Sequence, residues 1–383
     1  MSQLRPLLIG YNYPPGGGIG SIRISKFAKY LPEPWDVHVL TAAGNAGPQT
    51  DAAVDDGGNA TIHRVSEVWP TAPKDFDKIR WMPPLCREIR RLHREIDFDV
   101  IWHTAGPFLP LTAALFVSPM LRIPYVADFR DAWTLQPYTP ERTVFGHVND
   151  AVSSLAEPRV LRTATAVTTA TDGITDAYRD QYPSLSSKFR TIANGYDPAD
   201  FPDHDVESPS RFTIVYAGKF GHYRDVTPFV RALSNVKPEG DVRFLHVGKP
   251  EPAVRSAVDR FGLADRFECT GFVDRSEVAR RIQRADVGLA VSGGSPQEMT
   301  TKIFDYIACK TPILACGPPT GSMANVVSRF EHGYVARNRT DEITKALGRL
   351  LETRPRALGP GPYDEYTRER SAERLAELFR RTI

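Results

Sequence analysis

Short apolar runs alternate with amphipathic stretches along most of the chain. Residues 7–11, 37–40, 100–103 and 125–127 are apolar runs of strand length. Between them, residues 22–31 and 85–96 repeat their apolar positions at helical spacing. The alternation restarts at 212–217 and continues through 242–247, 266–270, 287–291 and 313–315. Strands separated by helices predict a parallel sheet covered on both faces, and the restart predicts a second one.

The fold expected is therefore α/β, with two Rossmann-like domains. Residues 1–197 form the first and 211–364 the second. Residues 198–210, rich in proline and aspartate with no apolar period, read as a linker. Residues 365–383 place Leu375, Leu378 and Phe379 among arginines and predict a terminal amphipathic helix. A length of 383 residues suits two domains. The longest apolar run, 109–121, is interrupted by Pro110 and Pro119 and falls short of the roughly 20 residues that span a bilayer, so it is expected to be a buried helix. No charged segment followed by an apolar one opens the chain.

Composition narrows the chemistry. The 48 basic and 46 acidic residues nearly cancel, which argues against nucleic acid and leaves any anionic ligand to be met locally. Cys86, Cys269, Cys309 and Cys316 show no metal-ligand or redox spacing, and a reducing, cytoplasmic setting is expected.

Three loops carry candidate chemistry. After the first strand comes Gly16-Gly17-Gly18-Ile19-Gly20-Ser21, where backbone amides at a helix N-terminus can approach a phosphate. A nicotinamide fingerprint fails there, because Ser21 stands at the third glycine position and strand two ends in Leu40-Thr41-Ala42 without an acidic residue. A turn needed only for tight packing is the alternative. After strand 212–217, Lys219 and Arg224 flank a glycine-bearing turn and suit a diphosphate, unless both are solvated surface charges. After strand 287–291, the segment from Ser292 to Thr301 leads into a helix expected to start near Thr300, with Asp305 placed to accept two hydrogen bonds from a ribose diol.

Taken in order, Pro14-Pro15-x-Gly17-Gly18, Asp128-Phe129-Arg130-Asp131-Ala132-Trp133, Asn194-Gly195-Tyr196-Asp197 and Lys302-Ile303-Phe304-Asp305-Tyr306-Ile307-Ala308 resemble the retaining GT-B glycosyltransferases of glycosyltransferase family four, in an envelope-polysaccharide branch. The resemblance spans nearly the whole chain. It implies two domains facing across a cleft, the terminal helix crossing back to the first domain, and metal-independent transfer of a sugar from a nucleoside-diphosphate sugar without a cofactor. It assigns donor binding to Gly17, Gly18, Lys219, Arg224, Gln297, Glu298, Thr300, Thr301, Lys302 and Asp305. Two departures stand out. The family's Arg-then-Lys order is reversed at Lys219 and Arg224. Gln297 occupies the first of two acidic positions eight apart, with Glu298 beside it and Asp305 at the second.

In the first half, the resemblance suggests a donor or acceptor contact for His103, which a structural hydrogen bond would equally explain. Asp128, Arg130 and Asp131 follow strand 125–127 and could orient an acceptor hydroxyl or pair among themselves. Asp97-Phe98-Asp99 matches a metal-binding string but precedes its strand, away from the ligand edge, and is taken as a turn. Arg87, Arg90, Arg91 and Arg94, with Trp81 and Met82 nearby, read first as a solvated helix face; the alternative is that they face an anionic membrane surface that carries a lipid-linked saccharide acceptor. Peripheral attachment to the cytoplasmic membrane face corresponds to that alternative. Rival readings are a GT-B sugar-nucleotide epimerase and a catalytically silent nucleotide-sugar-binding partner, the latter prompted by Gln297.

Overall fold

A computed structural model describes residues 3–43, 58–66, 78–136, 144–202, 210–221, 223–236 and 242–383. The chain divides into two compact units, Met1–Asn194 with Arg368–Ile383, and Gly195–Thr367. Each is organised around its own parallel sheet.

The first sheet has strands β1 (Pro6–Gly10), β2 (His38–Ala42), β3 (Thr61–Val65), β4 (Val100–Thr104), β5 (Tyr125–Phe129), β6 (Ala166–Thr169) and β7 (Phe189–Thr191). Their order is β3-β2-β1-β4-β5-β6-β7. Helices α1 (Ile19–Tyr30), α2 (Met82–Ile96), α3 (Ala114–Leu121), α4 (Val144–Thr163) and α5 (Asp172–Gln181) lie between the strands. Strands β1, β2, β4 and β5 are buried at every position, as a sheet covered on both faces requires. Strand order reverses at β1, and the crevice beyond the carboxyl end of such a strand is where open α/β sheets take ligands.

The second sheet contains β8 (Phe212–Ala217), β9 (Val242–Val247), β10 (Phe267–Cys269), β11 (Val287–Val291), β12 (Ile313–Cys316) and β13 (Gly333–Ala336). Their order, β10-β9-β8-β11-β12-β13, puts the reversal at β8. The helices are α6 (Thr227–Asn235), α7 (Pro252–Arg260), α8 (Arg275–Gln283), α9 (Lys302–Ala308), α10 (Ser322–Val327) and α11 (Thr340–Thr353). Glycine at 288 lets α9 seat on β11: the Tyr306 ring lies against it, and a Cβ there would come within 2.5 Å of the ring. The Tyr306 hydroxyl then donates to the Leu289 carbonyl at 2.8 Å.

The terminal helix α12 (Arg368–Thr382) packs on the first unit. Its Ala372, Leu375, Ala376 and Phe379 are fully buried with α1 residues Ile24, Phe27 and Ala28. Phe379 stacks on Trp35 with centroids 6.3 Å apart.

Several expectations need correction. The first unit ends at Asn194 rather than 197, and the helix begins at Arg368 rather than at 365. The start of the supposed linker is held in the second unit: Asp200 pairs with Arg275 at 3.6 Å, and the Pro202 carbonyl accepts from Gln283 at 3.0 Å. Residues 203–209 lie outside the described residues. The apolar run 109–121 is a 3-10 turn, Leu109–Ala113, followed by α3, and it is not wholly buried. Phe116 and Met120 are 58% and 44% exposed, because α3 lies on the outer layer and only one of its faces meets the sheet. Trp81, expected beside a basic surface, is fully buried, with its Nε1 donating to the Val65 carbonyl at 3.3 Å. Asp97 caps α2 in a left-handed conformation ahead of β4. No helix among the described residues is long and apolar enough to cross a membrane.

Candidate active site

The loop leaving β8 is held backbone atom by backbone atom. Gly218 N donates to the Val247 carbonyl at 2.7 Å, and the Gly218 carbonyl accepts from His246 Nε2 at 2.8 Å. The Lys219 carbonyl accepts from the Tyr216 hydroxyl at 2.8 Å and from Lys302 Nζ at 3.4 Å. Phe220 N and Gly221 N donate to the Glu251 carboxylate at 2.8 and 3.3 Å, and the Phe220 carbonyl accepts from Arg224 Nη1 at 3.3 Å. The Phe220 ring stacks on Tyr216 with centroids 3.6 Å apart. Lys219 itself is exposed.

Lys302 is the first residue of α9, two residues later than the expected helix start near Thr300. Its ammonium lies over the Tyr216 ring, 5.0 Å from the centroid, and its side chain rests against Gly218. Burial, followed by the nearby Arg224 guanidinium, pushes its pKa down to about 8. Cationic side chains from the β8 and β11 loops thus converge on the carbonyls of one short loop, at the carboxyl edge where strand order reverses.

The acidic residues there are already engaged. Glu298 accepts from Arg224 Nε at 2.9 Å and lies 2.8 Å from its Nη2, while its other oxygen takes the Gly293 amide. Glu298 therefore orients Arg224. Asp305 lies 3.6 Å from Arg275, whose guanidinium also covers the Phe201 ring at 4.9 Å. Gln297 is half-buried in the turn before α9, its backbone amide bound by Ser295 Oγ at 3.2 Å. Thr300 is buried and Thr301 half-buried. The sequence left Glu251 and Arg275 unremarked. The position of Glu251 behind β9, in Gly248-Lys249-Pro250-Glu251, was a usable signal, since it too is a carboxyl-edge loop. Arg275 had none.

In the first unit, Gly17 and Gly18 are partly or wholly exposed at the start of α1. Gly18 takes φ +107° as the N-cap, with open space around it. Beside this turn, Arg130 lies against Gly20 and Gly106, where a Cβ at either position would meet its guanidinium. Arg130 also pairs with the exposed Asp131 at 3.1 Å.

Two expected catalytic side chains do not reach solvent. His103 is 1% exposed and hydrogen-bonds the Tyr125 hydroxyl, and burial drives its pKa down to about 3. It is held neutral inside the sheet, because a strand residue whose side chain faces a covering helix layer is shut in wherever the strand ends. Asp128 is fully buried and accepts from Arg23 Nη2 at 2.8 Å, Arg23 Nε at 3.0 Å, Thr104 Oγ1 at 2.7 Å and Thr168 Oγ1 at 2.6 Å. Its lone pairs are spent on holding Arg23, which continues to Asn194 Oδ1 at 3.2 Å. Asp128 is thus a structural anchor, and Arg130 and Asp131 are what the loop presents outward.

Comparison with known proteins agrees with this geometry. Residues 20–200 match the Glycosyltransferase Family 4 model, and residues 201–369 match that of Glycosyl transferases group 1. Alpha-D-kanosaminyltransferase of Streptomyces kanamyceticus is 24% identical over 77% of this chain and 80% of its own. Sucrose-phosphate synthase of Thermosynechococcus elongatus superposes with a TM-score of 0.77 at 17% identity, covering 99% of both chains. HepE of Anabaena, solved with UDP and glucose, superposes with a TM-score of 0.70 at 15% identity over 99% of this chain and all of its own. None of these comparisons favours an epimerase or a silent partner. With the two family models together spanning nearly its whole length, the chain belongs to the GT-B glycosyltransferases, with a family four first half and a group 1 second half.

Proposed function

We propose that this glycosyltransferase moves a hexosyl or related sugar from a nucleoside-diphosphate sugar to a saccharide or lipid-linked saccharide acceptor, with retention of anomeric configuration and without a metal ion. The convergence of Arg224 and Lys302 on the carbonyls of the loop that carries Lys219, at the end of β8, carries this reading. Cations fixed before the substrate arrives gain most as charge builds on the departing diphosphate, so they favour the transition state over the bound donor. UDP and glucose in the solved HepE complex support a uridine diphosphate sugar as the first donor to try.

Asp305 is assigned to the ribose diol, with Arg275 holding its carboxylate. Gln297, Thr300 and Thr301 are assigned to the donor sugar and phosphates, and the amides of Gly17 and Gly18 to phosphate. Arg130 and Asp131 are assigned to the acceptor. Peripheral attachment to an anionic membrane surface is supported by the exposed Arg87, Arg90 and Arg94 of α2 and by Phe116 and Met120 of α3.

Release of UDP from UDP-sugars, with and without EDTA, tests the proposal. Turnover should survive EDTA. Lys219→Ala and Arg224→Ala should each lower kcat by about a hundredfold, the scale for removing one preorganised group facing developing charge. The double variant should lose less than the product of the two, because both act on the same charge. Near-normal turnover in both single variants would remove the diphosphate from this loop, and a loss in EDTA restored by Mg²⁺ would remove metal independence.

A further inference from the structure

Glu251 stands at the N-cap position of α7 yet makes no side-chain cap to that helix. Pro252 follows it, so the first helical position needs no acceptor. Its carboxylate reaches instead to the β8 loop, 31 and 30 residues away in sequence, and takes the consecutive amides of Phe220 and Gly221. Two neighbouring N–H groups at a strand's carboxyl edge are what a phosphate oxygen would seek. Here a carboxylate of the protein fills them.

His246 backs the arrangement from β9. It is fully buried, donates from Nε2 to the Gly218 carbonyl and lies 4.0 Å from a Glu251 oxygen. Gly248 makes the approach possible, since a Cβ there would come within 2.8 Å of the Gly218 carbonyl oxygen.

We propose that Glu251 is a positioning residue of the donor site. By occupying the amides of Phe220 and Gly221 it fixes the backbone on the far side of Lys219 and so sets the direction in which Lys219 leaves the loop. It also leaves the donor's diphosphate to the side chains of Lys219, Arg224 and Lys302 rather than to the amides of Phe220 and Gly221. The inference rests on the donor assignment above and adds a residue to it.

Calorimetric titration of the full-length chain with UDP tests it. Glu251→Gln keeps the side chain's size but turns one acceptor into an NH₂ group facing an N–H. It should raise the Kd for UDP on the order of tenfold to a hundredfold, the cost of a hydrogen bond to a charged group and of a misplaced contact. In the Lys219→Ala background the same change should have little further effect, because Glu251 acts through Lys219. Glu251→Asp retains the charge but cannot span both amides, and should fall between; it takes over as the test if the glutamine variant does not fold.

Unchanged UDP affinity in Glu251→Gln would overturn the proposal. Tighter binding would overturn it as well, since Glu251 would then be a competitor for the phosphate site. Fully additive losses with Lys219→Ala would reduce Glu251 to general support of the fold. Failure of the unsubstituted chain to bind UDP would remove the donor assignment and this inference with it, whereas retained binding that ignores Glu251 removes this inference alone.

Discussion

Lys302 shows how a single residue couples burial to ligand charge. Its ammonium is crowded by the Tyr216 ring and Arg224, and its pKa falls to about 8 against an ordinary value of 10.5. A base whose folded pKa is depressed binds fewer protons than in the unfolded chain between those two values. Its unfavourable contribution to stability is therefore full below about pH 8 and disappears as pH rises towards 10.5. A bound diphosphate would restore the charge. UDP binding near pH 8.5 should therefore take up protons, seen as a dependence of the binding enthalpy on the ionisation enthalpy of the buffer, and Lys302→Met should abolish that uptake. A proton count of zero in the unsubstituted chain would contradict it. Lys302 was legible as part of a motif, but its crowding was not, because that arises from groups 78 to 86 positions away in the chain. His103 and Asp128 fail in the opposite sense: their positions at strand ends were legible, and the layers that bury them were not.

At the scale of elements, α12 illustrates a stretch whose existence was plain from its apolar stripe and whose return to the first unit, implied by the family resemblance, the structure bears out. Its apolar stripe predicts an amphipathic helix, and the structure supplies the surface it covers, the α1 and Trp35 face of the first unit. Phe379 is fully buried there, so Phe379→Ala should cost about 3–5 kcal/mol in the denaturant-induced unfolding of that unit while leaving the transition of Gly195–Thr367 in place. An unshifted transition would show that Phe379 contributes little to the first core, and a single shared transition would show that the two units unfold together. Elements that are largely apolar runs bounded by polar or turn residues, β8, β9 and β11, have the boundaries those runs set. The apolar run 109–121 misled because composition cannot say which face of a short helix has a neighbour, and α3 has none over Phe116 and Met120 among the described residues.

For the molecule as a whole, the division into units makes the donor assignment separable. Lys219, Arg224, Glu251, Glu298, Lys302 and Asp305 all lie in Gly195–Thr367, a continuous segment with its own sheet and core. Expressed alone, that segment should fold cooperatively and bind UDP, whereas residues 1–194 without 368–383 should unfold at markedly lower denaturant, since their buried α1 face would lie bare. A folded 195–367 segment with no UDP affinity would move the donor site elsewhere. Local patterning was enough to establish two parallel α/β sheets, their candidate ligand-edge loops and the basic and acidic groups those loops carry, because strand and helix periods and turn residues act over a few neighbours. The packed chain alone settled which of those groups are available. Glu298 turns to Arg224, Asp305 to Arg275 and Asp128 to Arg23, while Glu251 abandons its own helix for the β8 loop. Each of these pairings joins residues 30 or more positions apart, and charge pairing at that separation is fixed only when the sheets bring the loops to a common edge.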